Sequence, residues 1–180
     1  MFDGIPANIY YASPTQINFL VPSNLLASRY DVLVTMNALN GPAVRMQLAE
    51  TAPGLFQFDP EFAVATRPDG SVVTPDNPAR PGDVIVLYAT GLGRTSPKAE
   101  AGRIATTSAR VTTPDFRLLL DGNDVERWST FYVGLTPGFA GLYQINLTLP
   151  ENLANNPSIR IGFGDQLSPE GLKLPLSSLP

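Results

Sequence analysis

Gln16-Ile-Asn-Phe-Leu-Val-Pro-Ser-Asn-Leu25 and Gln144-Ile-Asn-Leu-Thr-Leu-Pro-Glu-Asn-Leu153 carry one pattern, 128 residues apart, with six of ten positions identical. In the first copy Ile17, Phe19 and Val21 alternate with Gln16 and Asn18. In the second, Ile145, Leu147 and Leu149 alternate with Gln144, Asn146 and Thr148. Successive side chains of a β-strand point to opposite faces, so a period of two predicts a strand with one buried and one polar face. A proline ends both runs, and proline cannot donate to a strand ladder.

The likeness extends on both sides. Val44, Met46 and Leu48 stand at the same offset from Leu172, Leu174 and Leu176, and Val32, Val34 and Met36 parallel Ile159, Ile161 and Phe163 with a one-residue slip. Upstream, Tyr10-Tyr11 resembles Phe131-Tyr132. One supersecondary unit therefore occurs twice. Residues 30–37, 44–49, 158–163 and 171–176 read as further short strands between Asn-Gly, Asn-Asn-Pro and Ser-Pro-Glu-Gly turns.

Between the copies the chain stays strand-rich. Residues 62–66 and 71–74 flank Arg67-Pro-Asp-Gly70, which predicts a hairpin because Pro presets one turn dihedral and Gly accepts positive φ. The apolar run Val84–Thr90 reads as a central strand covered on both faces. Residues 116–120 and 125–133, joined through Asp121-Gly-Asn123, read as another hairpin, and residues 95–113 as a long loop.

With 15 Gly and 18 Pro in 180 residues and no capped 3.6-residue stripe, sustained helices are not expected. The pattern predicts an all-β chain, a β-sandwich of two related lobes. Residues 1–50 would be a partial repeat and residues 51–180 a complete sandwich carrying the second copy. The first copy lacks a counterpart to residues 52–115. It is either half a domain, or a sheet completed on the second copy or on another chain, which makes a strand-edge dimer an expectation.

The strings Pro53-Gly-Leu-Phe56, Asn77-Pro-Ala-Arg-Pro-Gly-Asp83, Leu87-Tyr-Ala-Thr-Gly-Leu-Gly93 and Gly134-Leu-Thr-Pro-Gly-Phe-Ala-Gly-Leu-Tyr-Gln-Ile-Asn146 resemble the uncharacterised C-terminal domain at the ends of many large secreted acidobacterial proteins. Tyr11-Ala-Ser-Pro-Thr-Gln-Ile-Asn18 is similar to the N-terminal part of that pattern. The resemblance implies an immunoglobulin-like module of an exported protein, secreted or at the cell surface, with no established activity and no catalytic residue to carry over.

Composition excludes much chemistry. The absence of Cys removes disulfides, thiolate nucleophiles and zinc-finger ligands, and the absence of His removes the commonest general base. A Ser nucleophile would need Lys98 or Lys173 as base, and neither lies in a Ser-x-x-Lys arrangement. Gly91-Leu-Gly93 lacks the third glycine and the Lys-Ser/Thr pair of a phosphate loop. A net charge of −4 and scattered Arg argue against nucleic acid. Gly4–Ser28 and Trp128–Pro150 are uncharged, but Pro6, Pro14, Pro22 and Pro137 break them and Gln16, Asn18, Gln144 and Asn146 lie inside, so neither reads as a membrane span. Met1-Phe2-Asp3 opens without a basic or apolar leader.

Four candidate sites remain. Trp128, Tyr132 and Tyr143 are candidates for a sugar-stacking platform, with Trp128 sharing a strand face with Thr130 and Tyr132. Asp121, Asn123 and Asp124 offer hard oxygens for calcium, against an ordinary hairpin turn. Gln16, Asn18, Gln144 and Asn146 are repeated amides, structural or interfacial. Paired carboxylates for a hydrolase are the weakest reading, because Asp69, Asp76, Asp83 and Asp121 lie beside turn residues. The expectation is a non-enzymatic structural, adhesive or docking module without cofactor, acting on a protein or polysaccharide surface.

Overall fold

A computed structural model describes residues 1–100 and 103–178, with the Trp128 side chain outside the described set. The chain is all-β, built from several antiparallel sheets. The sole helical element among the described residues is a single 3-10 turn, Arg127–Ser129.

Six short strands come first: β1 (Asn8–Ala12), β2 (Ile17–Leu20), β3 (Arg29–Val32), β4 (Thr35–Met36), β5 (Leu39–Asn40) and β6 (Val44–Gln47). They form three antiparallel pairs, β1 with β2, β3 with β6 and β4 with β5. Residues 30–37 are thus two strands instead of one. The chain turns away at Leu33 and Val34, where Met1 engages Leu33 in both directions, N–H to C=O.

Next come β7 (Gly54–Leu55), β8 (Ala65–Thr66), β9 (Val72–Val73), β10 (Val84–Thr90), β11 (Thr95–Ser96) and β12 (Ala109–Val111). They are followed by β13 (Phe116–Leu120), β14 (Asn123–Asp124), β15 (Thr130–Leu135), β16 (Tyr143–Thr148), β17 (Ile159–Phe163) and β18 (Gln166–Leu167). One sheet runs β11-β12-β15-β16-β10-β8-β9, with β7 also on β10; the other runs β14-β13-β17-β18. Ile85, Leu87, Ile145 and Leu147 from the first sheet and Leu118, Leu120, Ile159 and Ile161 from the second share one apolar core. That arrangement is compatible with a β-sandwich, and each large aliphatic side chain withdrawn from water contributes about 1.5–3 kcal/mol.

Residues 172–177 close this core without forming a regular strand. On one side the Ile159 N–H donates to the Leu172 carbonyl and the Leu174 N–H to the Pro157 carbonyl. On the other, the Ala63 N–H donates to Lys173 and the Ala79 N–H to Pro175. Alternate bonding to two neighbours leaves Leu172, Leu174 and Leu176 pointing inward.

Further expectations need correction. β10 is central, pairing with β16, β8 and β7, but only one face is sealed. Ile85, Leu87 and Ala89 are fully buried while Val84 remains exposed, so apolar residues at outward positions masked a period of two. Residues 125–133 are not one strand. After the short β13–β14 hairpin, the 3-10 turn at Arg127–Ser129 carries the chain into the other sheet. Trp128 therefore sits in that turn and does not share a strand face with Thr130 and Tyr132. The stretch 95–113 holds β11 and β12, and its residues 101 and 102 lie outside the described residues.

Candidate functional site

The repeated sequence makes repeated geometry. In the first copy Ile9 faces Phe19, Tyr11 faces Asn18 and Ala12 faces Ile17, with Tyr10 bulged out of register. In the second, Thr130 faces Leu147, Tyr132 faces Asn146 and Val133 faces Ile145, with Phe131 bulged. Both hairpins share register and bulge position. They also share a side-chain bond: Gln16 Nε2 donates to Asn18 Oδ1 at 2.6 Å, and Gln144 Nε2 to Asn146 Oδ1 at 3.0 Å. The amides satisfy each other along the outward face of their own strand.

Downstream the match holds. Asp31 faces Arg45 as Ser158 faces Lys173. Thr35–Asn40 and Met36–Leu39 repeat the pairs Gly162–Leu167 and Phe163–Gln166 of the β17–β18 hairpin. Upstream, the structure adds a correspondence that sequence reading missed. Asp3 donates its N–H to the Asp31 carbonyl at 3.0 Å and accepts the Asp31 N–H on Oδ1 at 3.0 Å. Asp121 does the same with Ser158, at 2.9 and 2.8 Å. Both aspartates have positive φ, 43° and 48°, and each precedes a glycine in the same region. The available signal was two apolar residues before Asp-Gly, in Met1-Phe2-Asp3-Gly4 and Leu119-Leu120-Asp121-Gly122.

What differs is cover. Ile145, Leu147 and Ile161 are 0% exposed, while their counterparts Ile17, Phe19 and Val34 are 37%, 37% and 49% exposed. Val44 and Met46 are likewise exposed where Leu172 and Leu174 are buried. β16 pairs along its whole length with β10; no described strand pairs with the corresponding edge of β2. Only Phe2, packed against Phe19 and Tyr30 with ring centroids 5.8 and 6.2 Å apart, and Tyr30 itself are buried among these strands. The first copy thus leaves apolar side chains facing solvent at positions that the second copy buries.

The other candidates have partners within the chain. The Tyr132 ring carries the Arg110 guanidinium 5.1 Å from its centroid, and its hydroxyl donates to the Leu135 carbonyl at 2.8 Å. Tyr143 is half-buried and donates to the Gly93 carbonyl, and burial holds its hydroxyl pKa above the ordinary value. Of the Trp128 side chain nothing is described. The cleft beside Tyr132, lined by Arg110, Phe116 and Arg127 among others, has about 180 Å³, below the ~300–1,000 Å³ usual for small-molecule sites.

Around the β13–β14 turn the oxygens diverge. Asp124 takes a bidentate pair of bonds from Arg117, both 2.8 Å, which holds its carboxyl below the usual range. Asp121 Oδ1 is engaged by Ser158, and Asn123 Nδ2 donates to the Asp121 carbonyl at 3.2 Å. Among the described residues no group of three or more acidic side chains is set to hold a metal ion. The carboxylates with a displaced pKa, Asp31, Asp69 and Asp124, are all lowered by hydrogen-bond donors. A general acid needs the opposite displacement.

Comparison with family models, curated proteins and solved structures finds no match to the chain. No described helix is long and apolar enough to cross a membrane.

Proposed function

We propose that the chain is a non-enzymatic, immunoglobulin-like β-sandwich module of an exported protein, and that its first 50 residues are a second, related and incomplete lobe that works as a docking element. The observation that carries this reading is the exposure of Ile17, Phe19, Val34, Val44 and Met46 at positions whose repeat counterparts are core residues. An apolar face that the same sequence pattern buries elsewhere is unfinished packing, and burying it on a partner releases the free energy that folding left unused. The resemblance to the C-terminal domains of secreted acidobacterial proteins supports the exported setting.

The test is binding of an apolar fluorescent dye to the intact monomeric chain, compared with a Met36→Lys/Val44→Lys variant. Both positions lie on the exposed face, so the variant should lose most of the dye signal while its main unfolding midpoint stays within the range of surface changes. A monomer that binds no dye overturns the docking reading.

A further inference from the structure

Resting on that docking reading, the repeat identifies the occupant. We infer that the exposed face of the N-terminal strands takes a polypeptide β-unit with the strand pattern of residues 52–118. The argument is one of correspondence. Residues 1–48 reproduce the register, the bulge, the Asp-Gly turn and the amide bond of residues 119–176. In the second copy, the core that buries the corresponding side chains draws every member from outside that copy, Ala63 to Leu118, from residues 52–118.

The pairing rules follow from the covered copy. β10 lies antiparallel on β16 with Ile85 opposite Leu147 and Leu87 opposite Ile145. An occupant strand of that pattern on β2 sets its apolar residues opposite Phe19 and Ile17. β13 lies on β17 with Leu118 opposite Ile161 and Phe116 opposite Phe163. A second occupant strand would pair beside Val34 and Met36, continuing the line begun by Phe2 on Val32. Addition of a strand to a free edge supplies main-chain bonds, and alternate side chains filling the face supply specificity. The occupant is therefore extended, apolar at every second residue and contributed as two strands to two sheets. A helix or a flat polar surface fits neither edge.

The correspondence also sets the covalent junction. Met1 stands where Leu119 stands, so a duplicate of residues 52–118 fused directly ahead of Met1 joins Leu118 to Met1 in register. Hydrogen exchange of the amides of residues 16–21 and 33–47 is measured in the original chain and in this fusion. Exchange should slow on the order of 100-fold in the fusion, because local opening would then require loss of the added sheet. Unchanged exchange in a fusion whose duplicate is folded overturns the assignment.

Should the fusion be insoluble, a synthetic peptide with the sequence of residues 82–91 is added to the intact chain. Protection confined to residues 17–20, absent with an Ile85→Lys/Leu87→Lys peptide, supports the inference; no protection from either peptide overturns it. Sedimentation of the chain alone supplies the rival outcome. A dimer in which residues 16–21 and 33–47 are already protected assigns the face to a second copy and overturns the inference. Dye binding by the monomer together with no response to fusion or peptide leaves the docking face in place and removes only this occupant.

Discussion

Ile17 and Ile145 hold the same register position in two hairpins with the same bulge, yet Ile145 is fully buried and Ile17 is 37% exposed. Position in the repeat is equal; only what lies across from the face differs. Truncating each to Ala separates local pattern from cover. Ile145→Ala removes methyl groups from a sealed core and should cost about 2–5 kcal/mol in urea unfolding. Ile17→Ala should cost under about 1 kcal/mol, since little surface is withdrawn from water there. Equal losses would show that Ile17 is covered in solution.

Glycines in the second half test how closely strands approach. A Cβ on Gly91 would strike the Ala52 carbonyl, and one on Gly162 the Gln166 carbonyl; both obstacles are backbone and cannot turn aside. Gly70 has positive φ but nothing within 4 Å. Gly91→Ala and Gly162→Ala should each destabilise by more than about 3 kcal/mol, through clash on top of any strain. Gly70→Ala should cost about 1 kcal/mol, the strain of a left-handed residue alone. Thermal melts of the three variants check the ordering.

Ser168, 1% exposed, accepts the Ile161 N–H on its hydroxyl at 3.1 Å. Ser168→Ala leaves that amide buried without an acceptor and should cost about 1–3 kcal/mol. Faster hydrogen exchange at Ile161, relative to its neighbours in β17, identifies the lost bond as the cause.

Legibility in the sequence followed the physics of each element. Ile17–Phe19 and Ile145–Leu147 were readable because a half-buried strand alternates apolar and polar residues, and the repeat doubled that signal. Val84–Thr90 reads as a strand covered on both faces because Val86 and Tyr88 put apolar residues on its outer side. Nothing in Glu126-Arg127-Trp128-Ser129 marks a 3-10 turn as opposed to a strand. That the first copy is short of strands is legible in its missing counterpart to residues 52–115; which of its side chains stay exposed is not. Its residues are those of a core, and whether a core residue is covered depends on strands elsewhere in the chain, not on its own pattern.

Asp124 supplies a prediction in acid. Its carboxyl pKa is lowered from 3.8, chiefly by the hydrogen bonds from Arg117; desolvation opposes the shift and the charge of the same guanidinium adds to it. With the folded pKa below the unfolded one, the unfolded chain takes up the proton first as pH falls. The pair's contribution is therefore fully present above the unfolded pKa and is lost as pH falls from 3.8 through the folded value. Arg117→Met should move the Asp124 titration midpoint, followed by carboxyl carbon NMR, up toward 3.8. It should also flatten the acid limb of the stability profile below about pH 4. Because the pair is exposed and screened by solvent, the loss at neutral pH should be small. A midpoint that does not move would show that Arg117 and Asp124 part in solution.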